Sequence, residues 1–373
     1  MLFTSESVTS GHPDKICDKI SDSILDACLL EDPESKVAVD CWVKGNQLGI
    51  IGELNTSAKI DFEKIARKTI FDIGYNRSEL GFSSQECEIF VNVSEQSKEI
   101  YRAVQNDLEL GAGDQGLMFG MACNQTPEFM PLPIILAHRL AQKLEIVRKE
   151  KEFRNDFSLR PDAKTQVTIE FDEKNRIRNI QTILISSQHS ELFSQSELRD
   201  VLIAEVIRPV ILEMNLEKFF QSTEILINPS GSFIVGGPVA DSGLTGRKIV
   251  VDGYGGWGRV GGGAFSGKDA TKVDRSGAYM SRFLARQVVA RGWASECEIQ
   301  LSYAIGQARP VSLAVFGDLL ESQEFILKYL DSNFDLRPRA VIDFLDLKKP
   351  IYSETSCYGH FGRSQFSWEK VGE

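Results

Sequence analysis

The stretch PLPIILAHRLAQKLEIVRK (131–149), followed by KTQVTIEF (164–171) and NIQTILISS (179–187), contains the pattern that decides the fold. The first segment has apolar residues at helical spacing, and the other two are short β-type runs separated by the turn residues DEKN. SELRDVLIAEVIRPVIL (196–212) then predicts a second helix, and TEILIN (223–228) predicts a strand. The predicted order is therefore helix, hairpin, helix, strand.

The same order of elements recurs on both sides of this stretch. Before it, PDKICDKISDSILDACLL predicts a helix, with Ser10 as a possible cap and Pro13 in the first turn. KVAVDCWVK and QLGIIGEL then predict a hairpin. FEKIARKTIFDIG predicts a second helix that ends at Gly74, and CEIFVNV predicts a strand. After it lie a helix in RSGAYMSRFLARQVVARG, a hairpin in CEIQLSYAIG and PVSLAVFG, and a helix in SQEFILKYLDSNF. The three leading helices are predicted to begin near residues 12, 131 and 274.

Sequence identity between the three units is negligible, so the repeat lies only in the order of elements. Either the chain contains three similar units, or an ordinary alternation of helices and strands imitates a repeat. A triplication predicts an α+β fold with three layers, each a sheet with helices on one face. The other faces would then pack on one another or on a second subunit.

Composition limits the classes of function. The chain has 373 residues, 42% hydrophobic and 25% charged, and a net charge of −11, which opposes broad binding to nucleic acid or to an anionic membrane. Seven cysteines without C-x-x-C spacing suggest reduced thiols rather than metal ligands. With no apolar leader and no membrane-length apolar run, we expect a cytoplasmic protein.

A local basic window surrounds a glycine-rich segment: Arg247, Lys248, Arg259, Lys268, Lys272, Arg275, Arg282 and Arg286.

The segment SGHPDK places His12, Asp14 and Lys15 at the start of the first helix. Unpaired N–H groups and the helix dipole favour anions there, and a carboxylate with phosphate oxygens suits Mg²⁺. His12 could therefore meet a phosphate oxygen and Asp14 a magnesium ion. On spacing alone, an ordinary capped surface helix is the favoured explanation.

Three further segments carry polar groups beside glycine or at strand entries. GAGDQG (111–116) offers Asp114 and Gln115 to a ligand, or is a plain turn; the preceding SEQSKEIYRAVQNDLEL is either a mobile lid or a frayed helix. LRPDAK places Asp162 and Lys164 at a strand entry, where an exposed hairpin shoulder is the simpler explanation. The last segment, 228–248, offers Phe233 for stacking, Asp241, Arg247 and Lys248.

The segment GGGAFSGKD (261–269) contains G-x-x-x-x-G-K but has Asp269 where a P-loop carries Ser or Thr. KIVVDGY (248–254) predicts a strand, yet seven residues separate it from Gly262, and helical periodicity starts only near Asp274. The segment therefore fails as a P-loop. Lys268, Asp269, Lys272 and Asp274 nonetheless lie within seven residues, a spacing that suits phosphates and a metal.

HPDK, GAGDQG, RPDAK, GLTGRK and GGGAFSGKD-x-x-KVDRS, in this order, resemble the S-adenosylmethionine synthetase family, and the resemblance runs from FTSESVTSGHPDK to YGHFGR. It implies attack of the methionine sulfur on C5′ of ATP, release of triphosphate, and hydrolysis of triphosphate to phosphate and pyrophosphate. A leaving group with about four negative charges needs preorganised cations and Mg²⁺. A thioether has no proton to remove, so the first step requires no general base.

The resemblance also implies roles for individual residues. His12, Lys164 and Lys268 are the implied catalytic residues, with His12 at the oxygen that leaves C5′. The implied ATP and triphosphate site comprises His12, Asp162, Lys164, Phe233 against adenine, Asp241, Arg247, Lys248, Ala264 and Lys268. The implied methionine site comprises Glu53, Gln96, Asp114, Asp241 and Lys272. Implied metal ligands are Asp14 and Asp274 for about two Mg²⁺ ions, and Asp40 for K⁺.

The family's architecture implies three similar α+β domains in pseudo-threefold arrangement, each a mixed sheet covered by helices on one face. The corresponding bounds are 1–98, 112–231 and 232–373, with a mobile active-site loop at 99–111 and strand exchange between domains. Two subunits are expected to share active sites, and such dimers to pair into a tetramer.

Departures from the family pattern put K⁺ activation, ATP affinity and loop kinetics in question. They are Asp40 for the usual Glu, Ser232 for Arg, Val260 for His, Ala270 for Pro and Lys98 for Pro. A nucleotide-binding protein without turnover is the main competing hypothesis, but it would be expected to lose His12, Lys164, Lys268 or a magnesium aspartate. A P-loop kinase or ATPase would need a hydroxyl at position 269.

Overall fold

The computed structural model describes residues 1–95, 105–106, 109–154, 156 and 158–370. Gln96 and most of the predicted loop at 99–111 lie outside the described residues. The helices are α1 (Pro13–Glu31), α2 (Phe62–Ile73), α3 (Leu132–Phe153), α4 (Gln195–Val201), α5 (Arg208–Glu213), α6 (Gly237–Ala240), α7 (Ile249–Asp252), α8 (Val273–Ala290), α9 (Gln323–Asn333), α10 (Pro338–Phe344) and α11 (Tyr352–Thr355). A π-helical segment, Leu202–Ile207, joins α4 to α5. No helix in the described part of the chain is long and apolar enough to cross a membrane.

The strands form three main sheets and one two-stranded ribbon. They are β1 (Leu2–Val8), β2 (Lys36–Lys44), β3 (Gln47–Asn55), β4 (Glu88–Glu95), β5 (Gln105–Asn106), β6 (Glu109–Leu110), β7 (Gly116–Cys123), β8 (Leu159–Phe171), β9 (Ile177–His189), β10 (Glu224–Ile227), β11 (Gly243–Leu244), β12 (Ala294–Tyr303) and β13 (Ser312–Leu319). The sheet orders are β11-β2-β3-β4, β1-β8-β9-β10 and β13-β12-β7, and β5 pairs with β6.

Each leading helix precedes a hairpin, as the repeat predicts. The three helices begin at Pro13, Leu132 and Val273, and the hairpins are β2–β3, β8–β9 and β12–β13. The first two sheets are mixed, because β4 and β10 pair in parallel with β3 and β9, while the described strands of the third sheet are antiparallel. The α+β class with three domains is confirmed.

Each of the three main sheets contains one strand from a distant part of the chain. β1 pairs with β8 of the second sheet, β7 pairs with β12 of the third, and β11 pairs with β2 of the first. Because the exchange is cyclic, none of the three sheets is complete without a strand from another unit.

Helices cover one face of the first sheet and leave the other face open. Val37, Val39 and Cys41 alternate inward on β2 and are buried in the same core as the Ile16 side of α1. The outer face, defined here as Ala38, Asp40, Trp42, Gly49, Ile51, Glu53, Phe90, Asn92 and Ser94, consists of residues that are paired across β2, β3 and β4. It includes apolar side chains that are about half exposed, namely Ile51 at 44% and Phe90 at 51%.

Two local predictions are wrong. Ser10 does not cap α1, because its hydroxyl donates to Glu145 of α3 at 2.6 Å, and His12 is the N-cap instead. KIVVDGY is not a strand: residues 249–252 form the single turn α7, with the Gly253 N–H donating to the Ile249 carbonyl at 3.1 Å. The turn brings Asp252 inward to Lys15 at 2.5 Å, so a tertiary contact overrides the β-propensity of Ile249 and Val250.

Candidate active site

His12 caps α1 with its own ring. Its Nδ1 accepts the N–H of Asp14 at 3.2 Å, so the neutral imidazole carries its proton on Nε2. Burial, reinforced by the neighbouring Lys248 and Lys164, lowers the pKa of His12 to about 3. His12 is therefore a neutral Nε2–H donor at physiological pH.

The pairing of β1 with β8 brings the HPDK and RPDAK segments together. Val8 lies opposite Lys164, and the Thr9 N–H donates to the Ala163 carbonyl at 3.0 Å. Gly11 is required here because a Cβ would lie 2.4 Å from the Pro161 carbonyl oxygen. The Lys164 side chain stays exposed.

Asp162 is buried beside this junction and accepts the Gly237 N–H at 2.8 Å. Burial raises its pKa to about 6 although that hydrogen bond opposes the shift. Asp162 therefore ties the segment that follows Phe233 to β8.

The GLTGRK segment (243–248) contacts the Asp14 carboxylate through a backbone N–H and two cationic side chains. Asp14 accepts the Leu244 N–H at 3.0 Å, Lys248 donates its ammonium to Oδ2, and the Arg247 Nε lies 3.6 Å from Oδ1. Burial acts to raise the pKa of Asp14, but the Lys248 and Leu244 hydrogen bonds outweigh it and lower the pKa. Asp14 is therefore an ionised carboxylate between two cations.

The glycine-rich segment places its lysine on the outer face of the first sheet. Residues 267–269 extend along the edge of β2, where Lys268 pairs with Ala38 in an antiparallel bridge, and paired residues share a face. The Lys268 ammonium donates to Asp274 at 2.7 Å. Burial raises the pKa of Asp40 on the same face, and the charge of Lys268 partly offsets that shift.

Close backbone contacts join the two cationic segments. A Cβ on Gly246 would lie 2.4 Å from the Ala264 Cβ, so GLTGRK packs directly on GGGAFSGKD. A Cβ on Gly263 would lie 2.1 Å from the Asp274 carboxyl carbon, and one on Gly116 would lie 3.7 Å from Oδ1 of Asp274. GAGDQG therefore also ends beside Asp274.

The remaining predicted residues lie around these clusters. Phe233 is half-buried, with its N–H donating to His189 Nε2 at 3.2 Å, while Asp241 and Asp114 are exposed. Glu53 is exposed on the outer face, opposite Ala38. Within the described residues, no hydrogen bond or ion pair joins Glu53 or Asp114 to the cations around Asp14 or to the Lys268–Asp274 pair.

Asp269 has a different environment from its neighbours Lys268 and Asp274. It is buried and accepts the Val37 N–H at 2.7 Å, the Thr271 hydroxyl at 2.6 Å and the Lys272 ammonium at 2.6 Å. Its carboxylate therefore fastens the segment to β2. Lys272 is in turn held by Asp269.

Sequence reasoning did not single out Asp18 and Asp22, and it named Arg275 only as part of the basic window. Asp18 and Asp22 are buried on α1 and accept the N–H groups of Gly246 and Gly267, both at 2.8 Å. The four-residue spacing of the aspartates in DKICDKISDSILDA was a signal that could have identified them.

The carboxylates suit Mg²⁺ only as part of a shared site. Among the described residues, no group of three or more His, Cys, Asp or Glu side chains could hold a metal. Asp14 and Asp274 each supply carboxylate oxygens, and Mg²⁺ is often held by one or two carboxylates plus substrate phosphates. The donor set therefore fits Mg²⁺ that arrives with a polyphosphate.

Comparison with known proteins covers nearly the whole chain. Residues 1–98, 109–233 and 235–370 match the family models described as S-adenosylmethionine synthetase, N-terminal, central and C-terminal domain. The chain is 51% identical over 392 aligned positions to an S-adenosylmethionine synthase of Petrotoga mobilis (strain DSM 10674 / SJ95), with 100% of this chain and 96% of the relative covered.

Proposed function

Because the chain belongs to the S-adenosylmethionine synthetase family, we propose that it makes S-adenosylmethionine from ATP and L-methionine. One observation carries the proposal: the contact between Gly246 and Ala264 brings the Arg247–Lys248 pair and the Lys268 segment side by side. Such a concentration of cations in a protein of net charge −11 suits a highly charged polyphosphate.

Lys164, Arg247, Lys248 and Lys268 would bind the triphosphate. The ammonium groups of Lys248 and Lys268 are already held by Asp14 and Asp274, so little reorganisation is needed when charge develops. Phe233 would stack on adenine, and Asp162, Asp241 and Ala264 would complete the nucleotide site.

His12 would assist departure of the triphosphate. As the sulfur–C5′ bond forms and the C5′–oxygen bond breaks, the negative charge grows on the leaving oxygen, where a neutral Nε2–H can donate without losing its proton. Water then hydrolyses the triphosphate to phosphate and pyrophosphate. About two Mg²⁺ ions held by Asp14, Asp274 and phosphate oxygens would supply charge neutralisation, and Asp40 would bind K⁺.

Methionine would bind between Glu53, Gln96, Asp114, Asp241 and Lys272. Glu53 lies on the outer face, away from the helices of its own subunit. This placement supports a dimer in which the outer face meets a second copy and each active site takes residues from both subunits. Pairing of such dimers would give a tetramer. The domain bounds 1–98, 112–231 and 232–373 and a mobile loop at 99–111 belong to the same proposal.

Product analysis tests the function. The purified protein is incubated with ATP, methionine and Mg²⁺, with and without K⁺, and the products are separated by chromatography. We expect equal molar amounts of S-adenosylmethionine, phosphate and pyrophosphate, and faster turnover when K⁺ is present. ATP consumption without a methionine-dependent adenosyl product would contradict the proposal.

A further inference from the structure

Helix α1 carries a ladder of four aspartates on one face: Asp14, Asp18, Asp22 and Asp26. Each rung accepts backbone N–H groups from a segment more than 200 residues away in sequence. Asp14 accepts from Leu244, Asp18 from Gly246, Asp22 from Gly267, and Asp26 from Tyr352 and Ser353. Asp14, Asp18 and Asp22 hold cationic segments of the candidate site, whereas Asp26 holds the start of α11.

Asp22 and its partner Arg275 contact the backbone just before and just after Lys268. Asp22 Oδ1 accepts the Gly267 N–H at 2.8 Å, and its two oxygens accept the Arg275 guanidinium at 2.7 and 2.9 Å. Arg275 also donates to the Lys268 carbonyl at 3.2 Å. Asp22 thus holds the Ser266–Gly267 peptide unit, the Val39 N–H donates to the Gly267 carbonyl at 3.0 Å, and Arg275 holds the Lys268–Asp269 peptide unit.

The backbone at Gly267 needs such an anchor. Its φ is +79°, in the left-handed region, and a Cβ would lie 2.1 Å from the Val39 carbonyl oxygen. Because the N–H of Gly267 points into the buried end of Asp22, the turn is satisfied by a charge-assisted hydrogen bond. Loss of this acceptor would leave a buried N–H unpaired at the residue where the chain turns towards Lys268.

We propose that Asp22 and Arg275 are positioning residues that aim the Lys268 ammonium at the phosphates of the substrate. The inference rests on the proposed function, since it takes the triphosphate as the ligand of Lys268. Both side chains are fully buried, so they act on the ligand through the Lys268 backbone and not by contact.

Binding of inorganic tripolyphosphate with Mg²⁺, measured by isothermal titration calorimetry, tests the proposal. Asp22→Asn keeps the shape but loses the paired charge, and we expect the affinity to fall roughly tenfold or more. Lys268→Ala should also weaken binding. In the double variant, Asp22→Asn should add little to the loss caused by Lys268→Ala, because the two act through one contact.

Asp26→Asn is the matched control, since it removes charge from the same face of α1 but from the rung that holds Tyr352 and Ser353. It should lower stability without changing tripolyphosphate affinity. Wild-type affinity in a folded Asp22→Asn variant, or full additivity with Lys268→Ala, would overturn the positioning role. If the wild-type protein itself does not bind tripolyphosphate, the proposed function fails and this inference with it.

Arg275→Lys provides a second variant in case Asp22→Asn does not fold. Lysine keeps a positive charge beside Asp22 but cannot reproduce the planar fork that reaches both Asp22 and the Lys268 carbonyl. Unchanged affinity in this variant would count against the proposal. In the wild-type protein, hydrogen exchange should show a protected Gly267 amide before ligand is added, and rapid exchange there would also overturn it.

Discussion

The candidate site depends on individual residues whose usual chemistry is altered by burial. His12 is the clearest example, because its ring caps a helix, lies among lysines and is removed from water. The imidazolium form is disfavoured by desolvation and by like charge. The same residue in a solvated loop would be half protonated near pH 6.5.

We predict that His12 keeps its neutral Nε2–H form between pH 7 and pH 5. Its folded pKa of about 3 lies below the unfolded value of 6.5, so the unfolded chain binds more protons in this range, and His12 lowers stability as pH falls. Nitrogen NMR of the four histidines, with His12→Asn for assignment, measures the titration. A midpoint near 6.5 for His12 would contradict the prediction.

We also predict that Gly263→Ala lowers kcat/KM for ATP roughly 10- to 100-fold while the protein stays folded. The new methyl group would lie 2.1 Å from the Asp274 carboxyl carbon, so that side chain must rotate away from Lys268. Gly262→Ala is the matched control, because a Cβ there meets nothing within 4 Å. Equal activity in the two variants would show that the Asp274 position is not critical.

At the scale of elements, α1 is the scaffold of the site. Its N-terminus presents His12 and Asp14, its ladder of aspartates holds the cationic segments, and its apolar side packs on the first sheet. A buried triad joins this helix to α7: Lys15 of α1 donates to Asp18 at 2.7 Å and to Asp252 of α7 at 2.5 Å.

We predict that Lys15→Met destabilises the fold by about 3–5 kcal/mol at pH 7.5, because two buried carboxylates lose their cation. Burial raises the pKa of Asp18, and raises that of Asp252 to about 7 even with Lys15 present. Protonation of these groups should therefore reduce the loss of stability caused by Lys15→Met at pH 5.5. Urea unfolding at both pH values measures the free energy of unfolding, and Lys19→Met, one turn along α1, is the control. A loss that does not depend on pH would contradict this account.

At the scale of the whole molecule, the cyclic exchange of β1, β7 and β11 ties the three sheets into one structure. The exchange also creates the site. β1 delivers His12 to the second sheet, and β11 delivers the GLTGRK segment to the first. The finished molecule leaves Ile51 and Phe90 exposed beside Asp40 and Glu53 on the outer face.

We predict that Phe90→Asp converts the protein to a monomer and reduces S-adenosylmethionine synthesis at least tenfold, because a buried unpaired charge would oppose dimer contact. Phe71→Asp is the matched control, since Phe71 on α2 is 53% exposed and Phe90 is 51% exposed. Sedimentation velocity and activity are measured together. A dimeric, active Phe90→Asp variant would refute a dimer through the outer face.

Local signals allowed correct prediction of elements but not of their tertiary partners. Gly74 ends α2 in the left-handed conformation, and the start of α1 follows from Pro13 and the isoleucine spacing. The strand predicted at KIVVDGY was wrong, because Asp252 reaches Lys15 across 237 residues of sequence. The environment of Asp269 was equally hidden from the sequence, because its partner Val37 lies 232 residues away.

By itself, the sequence determined the three helix–hairpin units, the motifs and the family, because periodicity, turn residues and short motifs are local. The tertiary structure was needed to establish which strands are exchanged, the tautomer of His12, the environment of Asp269 and the anchoring of the Gly267–Lys268 backbone by Asp22 and Arg275. Those features depend on burial and on hydrogen bonds between segments up to 253 residues apart, and neither quantity can be read from local composition.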